Sequence, residues 1–160
     1  MSCTCRAATG KKLTLEWVWH QAVGARYALS VCTGALICGA VGLLKERRAT
    51  THWSALHLLP LFGAVPVEER VVIDGNMVFA AGVTSGVDGA LRLAALLRGD
   101  DAARAIQLYL QYAPEPPFDS GTPAVAPAAI LETARRSAAM ITAQREATAR
   151  LVAQRLGIAL

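Results

Sequence analysis

Cys32-Thr33-Gly34 stands between the apolar run Tyr27–Val31 and the run Ala35–Leu44. At that cysteine the hydrophobic pattern changes from strand-like to a period of about 3.6, so the segment reads as a strand ending in a thiol and followed at once by a helix. The competing reading is a membrane span, because eighteen uncharged residues lie between Arg26 and Lys45, near the lower length limit for one. Ser30, Thr33, Gly34, Gly39 and Gly42 dilute the hydrophobicity of that stretch, and a span leaves the change of period unexplained. A sharp strand-to-helix turn would set the thiol against the first helical N–H groups and the positive end of the dipole, which favour thiolate. The N–H of Thr33 would then face a developing oxyanion, as in a nucleophile elbow. Taken alone, the tripeptide is a weak signal and favours a plain alternative, a small core residue at the end of a buried strand.

The 160 residues suit one domain with a real core. A hydrophobic content of 54% and a mean hydropathy of +0.37 raise either a membrane span or a sheet buried on both faces. Net charge is +4, from 16 basic and 12 acidic residues. Arg135, Arg136, Arg145, Arg150 and Arg155 fall in one late helix, interleaved with Glu132 and Glu146 and without aromatic residues to stack on bases. A solvated helix face is expected there, not a nucleic-acid footprint. Cys3, Cys5, Cys32 and Cys38 have no paired C-x-x-C spacing. No secretory leader precedes them, so disulfides and zinc are not expected and a cytoplasmic location is.

Residues 1–14 show no period and read as an unassigned, disordered start. A short helix is expected over Leu15–Val23, stopped by Gly24, and a helix after Cys32 with Leu36, Ala40 and Leu43 on its packing face. Ala49–Trp53 reads as a short strand with His52 at its end, running into a helix Ser54–Leu59 that Pro60 and Gly63 close. Val71–Asp74 and Asn76–Ala81, joined through Asp74-Gly75, form a hairpin. Ser85 and Asp88 have capping-box spacing before a helix Gly86–Leu97, and Asp100 and Asp101 are placed to cap a helix running to Tyr112. Pro127 opens a long last helix whose apolar stripe is Ile130, Ala134, Ala138, Ile141, Thr148 and Val152. Strands alternate with helices from Tyr27 to Tyr112, so the fold class is α/β, with a mainly parallel sheet, one hairpin and a long C-terminal helix.

Six blocks of the sequence carry a resemblance: Ser30–Ala35, Gly42–Leu44, Arg48–Trp53, Gly82–Asp88, Ala105–Tyr112 and Pro116–Gly121. Through them the chain resembles the ThiJ/PfpI superfamily, whose three-layer fold is flavodoxin-like and similar to that of class I glutamine amidotransferases. The first blocks are shared by isonitrile hydratase-like enzymes and by the sensor domains of AraC-type regulators. Ile106-Gln107-Leu108 running into Pro116-Pro-Phe-Asp-Ser-Gly121 is similar to the isonitrile hydratase branch. Members of the superfamily normally begin with a βαβ half that supplies an acidic residue and a Pro-Gly-Gly loop. Neither is found before Cys32, where Glu16 is the single acid, so residues 15–160 are expected to be a partial, N-terminally truncated domain.

The resemblance implies cofactor-free hydration of an isonitrile to an N-substituted formamide, with Cys32 as nucleophile and Thr33 beside it. It also matches His52 to a family histidine near the nucleophile, although a histidine that caps a backbone group explains that residue as well. Thr84 and Asp88 are candidate supporting residues, and helix capping accounts for them equally. His20 and His57 carry no role, while Cys38, Trp17 and Trp53 read as packing residues. The expected partners are a small-molecule substrate and further copies of the chain, with no metal, nucleic acid or membrane. Two other readings stay open: a ligand-sensing domain without turnover, and a non-catalytic oligomerisation module.

Overall fold

The structure, a computed structural model, describes the backbone of residues 3–159 and the side chains of residues 13–159. Helix α1 (Cys3–Gly24) leads into β1 (Ala28–Val31), α2 (Gly34–Ala40), β2 (Arg48–Ala49) and a 3-10 helix (Trp53–Phe62). Next come β3 (Val65–Pro66), β4 (Val71–Asp74), β5 (Met77–Ala80), α3 (Ser85–Arg98), α4 (Asp100–Tyr109) and α5 (Ala128–Leu156). The stretch weighed as a span is therefore broken at Cys32, and no helix among the described residues is long and apolar enough to cross a membrane.

Three strands run in the order β1-β5-β4, with β1 parallel and β4 antiparallel to β5, and β2 pairs with β3 in a separate parallel ribbon. The hairpin forms where the sequence places it, with Gly75 in the left-handed region at φ 58°. All four residues of β5 are buried, as a central strand with an unbroken apolar run must be. Alternation along β1 distributes the helices between the two faces. Ser30 points toward α2, where a Cβ on Gly34 would lie 3.3 Å from its hydroxyl. Leu29 and Val31 point the other way, toward Gly89 and Gly86 of α3. The larger core lies on the Ser30 side, where Leu44, Leu59, Phe62, Met77, Phe79 and Val152 pack together.

Several expectations are corrected. Helical backbone begins at Cys3, well ahead of Leu15, and Trp17 is exposed, not packed. The core face of α2 is Ala35 and Gly39, with Leu36 and Ala40 beside it. Strand β2 stops at Ala49, so His52 sits at the N-terminus of the 3-10 helix and not on a strand. That helix continues through Pro60 to Phe62, and Gly63 (φ 72°) ends it. The capping box before α3 is not made, since Asp88 turns to Arg70 and Tyr112 instead. In α5 the expected stripe holds at Ala134, Ala138 and Val152 but not at Ile130, Ile141 and Thr148, which face solvent; Ala149 and Ala153 are buried with Val152 in their place.

Candidate functional site

Cys32 has φ 57°, a left-handed conformation that costs a residue with a Cβ about 1–2 kcal/mol. Its neighbours hold it there. The Cys32 N–H donates to the Ala80 carbonyl at 2.8 Å, extending the β1–β5 ladder by one residue, and the Thr51 hydroxyl donates to the Cys32 carbonyl at 2.8 Å. Thr33 follows as the residue that caps α2, making no side-chain capping bond. The strand thus reverses into the helix within two residues, the sharp turn expected from the sequence.

Cys38 differs from Cys32 in setting. Burial among the core side chains pushes its thiol pKa up, against a weaker opposing influence of the Ser30 hydroxyl. Ser30 is itself buried, and its hydroxyl has no partner in full hydrogen-bonding geometry, so the approach to Cys38 is a weak contact only. Cys38 is a packing residue, as the sequence suggested.

A cavity of about 1110 Å³ opens beside the elbow. Its walls include Thr50, Thr51 and His52 after β2, and Ala81–Ser85 after β5. These are the carboxyl ends of strands, where open α/β sheets place their ligand sites. Residues of α5, among them Arg135 and Glu146, close the far side. Cys32 does not line the cavity; Thr51 connects the two, since it lines the cavity and bonds the elbow carbonyl.

His52 caps the 3-10 helix: its Nδ1 accepts from the Ser54 N–H at 3.4 Å and lies 2.9 Å from the Ser54 hydroxyl. Of the two roles considered from the sequence, the structure shows the cap, and the same residue walls the cavity. Partial burial, and secondarily the charge of Arg145, lower its pKa below the ordinary value. The ring is accordingly neutral near pH 7, with Nδ1 as acceptor. Arg145 and Arg135 are thus not simply part of a solvated basic face, since one acts on His52 and the other lines the cavity.

Thr84 lines the cavity, whereas Asp88 does not. Asp88 Oδ2 accepts from Arg70 Nε at 2.8 Å and from the Tyr112 hydroxyl at 3.1 Å, and Arg70 also reaches Thr84 Oγ1 at 3.3 Å. This pairing raises the Arg70 pKa still further. Asp88 is an anchor joining α3 to the residue before β4 and to the segment after α4, one turn removed from the site. Thr51 and Arg70 were not singled out from the sequence. Thr51 gave no signal because a threonine next to a histidine is unremarkable until the fold brings it under Cys32.

The model of the DJ-1/PfpI family matches residues 4–96, which hold the elbow, the His52 segment and the start of α3. The chain belongs to that family. It is 55% identical over 126 residues to the isonitrile hydratase of Pseudomonas putida, a match that takes in 79% of this chain and 55% of the relative. The crystal structure of a ThiJ/PfpI family protein from Pseudomonas syringae superposes with a TM-score of 0.85 at 42% identity, covering 89% of this chain and 59% of that one. Drosophila melanogaster DJ-1beta shares the fold, at TM-score 0.53 and 20% identity, over 64% of this chain and 55% of its own. The chain therefore spans little more than half the length of these relatives. Its mixed α/β architecture with a long C-terminal helix is that of the family.

Proposed function

We propose that the chain carries the nucleophile half of an isonitrile hydratase-like site, with Cys32 as the attacking residue. The observation behind this reading is the left-handed elbow at Cys32 in a chain 55% identical to an isonitrile hydratase. In the proposed reaction the Cys32 thiolate adds to the terminal isonitrile carbon, forming a C–S bond, and that carbon takes up a proton to give a thioimidate. Water then adds to the same carbon, the nitrogen is protonated, and the C–S bond breaks to return the thiolate and release the N-substituted formamide. One isonitrile and one water are consumed, and no electrons are exchanged. In this reading the Thr33 N–H steadies anionic character, and its hydroxyl holds water or substrate.

Two of the three carboxylates that line the cavity are paired, Glu69 with Arg48 at 3.7 Å and Glu146 with Arg150 at 2.7 Å, and Asp88, outside it, is held by Arg70. Glu68, the third, is exposed on the cavity wall. General acid–base help typically contributes about 10²–10⁴-fold, so turnover should be slow beside that of a full-length relative unless Glu68 serves as the acid. The test follows formamide release from a simple isonitrile by both proteins, together with the intact mass of this chain. The expected result is a Cys32 adduct with little formamide, lost in Cys32→Ser. Robust turnover would show that a carboxylate of this chain serves as the acid, and an adduct that survives Cys32→Ser would sink the covalent reading.

The cavity favours a second reading, ligand binding without turnover, because Cys32 does not line it. Under that reading Cys32→Ser would leave isonitrile binding, measured by calorimetry, unchanged, and no adduct would form in either protein.

A further inference from the structure

The direction of a side chain is set by the two peptide planes that flank its Cα. At Cys32 both planes are held from outside the turn. The preceding one is fixed by the N–H bond to Ala80 on β5. The following one carries the Cys32 carbonyl, which the helix itself satisfies poorly: the Ala35 N–H reaches it only at 3.5 Å. The short bond to that carbonyl comes instead from Thr51 Oγ1, at 2.8 Å, from a side chain that is 2% exposed and comes from a different strand connection. With φ at 57°, Cys32 would relax toward an ordinary conformation if either plane were released, and the thiol would swing with it.

We propose that Thr51 is a positioning residue for Cys32, its buried hydroxyl clamping the elbow carbonyl and thereby aiming the thiol. The proposal rests on Cys32 as the reactive residue of the proposed function, and it adds the group that aims it. It also joins two parts of the site. Thr51 directly precedes His52, so movement of the cavity wall at the start of the 3-10 helix is transmitted to the thiol through one hydrogen bond.

The experiment measures the labelling rate of Cys32 by iodoacetamide in the folded chain, with half-buried Cys38 as an internal comparison. Thr51→Val keeps the shape and removes the hydroxyl, and Thr51→Ser keeps the hydroxyl. Thr51→Val is expected to change the Cys32 rate about tenfold, the effect of roughly one lost buried hydrogen bond, with Cys38 unchanged and Thr51→Ser close to the parent. A parent-like Cys32 rate in folded Thr51→Val overturns the proposal. So does a parallel rise at Cys38, which would mark a merely structural role. Should Thr51→Val not fold, the pair Thr51→Ser and Thr51→Ala isolates the hydroxyl, and equal Cys32 rates in the two overturn it. Labelling needs no isonitrile, so failure of the hydratase reading in the turnover assay leaves this result separately readable.

Discussion

At His52 a single ring makes a cap, walls a cavity and answers to the charge of Arg145. Its lowered pKa means that the folded state binds fewer protons than the unfolded chain just below the ordinary value of 6.5. The stability it contributes is therefore present above that value and is lost as pH falls through the lower folded pKa. His52→Asn retains a good capping acceptor without titrating. Between pH 7 and pH 5 the urea midpoint of the parent should fall more than that of His52→Asn. Equal falls would show that His52 does not carry this dependence. The same residue shows how far a sequence can be read. That His52 could cap a backbone group was legible, but the charge acting on it was not, because Arg145 lies on α5, far away along the chain.

Among the elements, the helices come close to the sheet and to one another through glycines. A Cβ on Gly39 of α2 would lie 2.4 Å from the ring of Phe62, and one on Gly89 of α3 would lie 3.0 Å from Ala80 and 3.1 Å from Leu29. Glycine in mid-helix is disfavoured by about 1 kcal/mol against alanine, so propensity alone would make Gly39→Ala stabilising. Overpacking of this kind costs about 1–3 kcal/mol, and Phe62 is buried with little room to move. Gly39→Ala should therefore lower the unfolding free energy by up to about 2 kcal/mol in a urea titration. An unchanged or raised value would mean that Phe62 repacks freely. Element types were largely legible from period and punctuation. Their ends were not, because β2, the 3-10 helix and the buried face of α5 are settled by what they pack against.

For the whole molecule, the outer side of β1 is decisive. Its sole hydrogen-bonded neighbour among the described strands is β5, so the backbone of Leu29 and Val31 on the other side has no strand beside it. An open strand edge, together with exposed apolar side chains such as Trp17 and Val23 on α1, invites pairing with another chain. Purified chain should self-associate in sedimentation velocity, increasingly so at higher concentration. A compact monomer with one cooperative melt at all concentrations would contradict that expectation.

What the sequence determined by itself is local. The change of hydrophobic period at Cys32, the Asp74-Gly75 turn, the helix start at Pro127 and the motif blocks of the family are all written within a few neighbouring residues. Only the tertiary structure decided that Thr51 holds the elbow carbonyl, that Asp88 anchors Arg70 instead of facing the cavity, and that alanines line the packed face of α5. Each of those depends on groups far apart in sequence, and a hydrogen bond or a tight contact is specified by distance in space, which the order of residues does not contain.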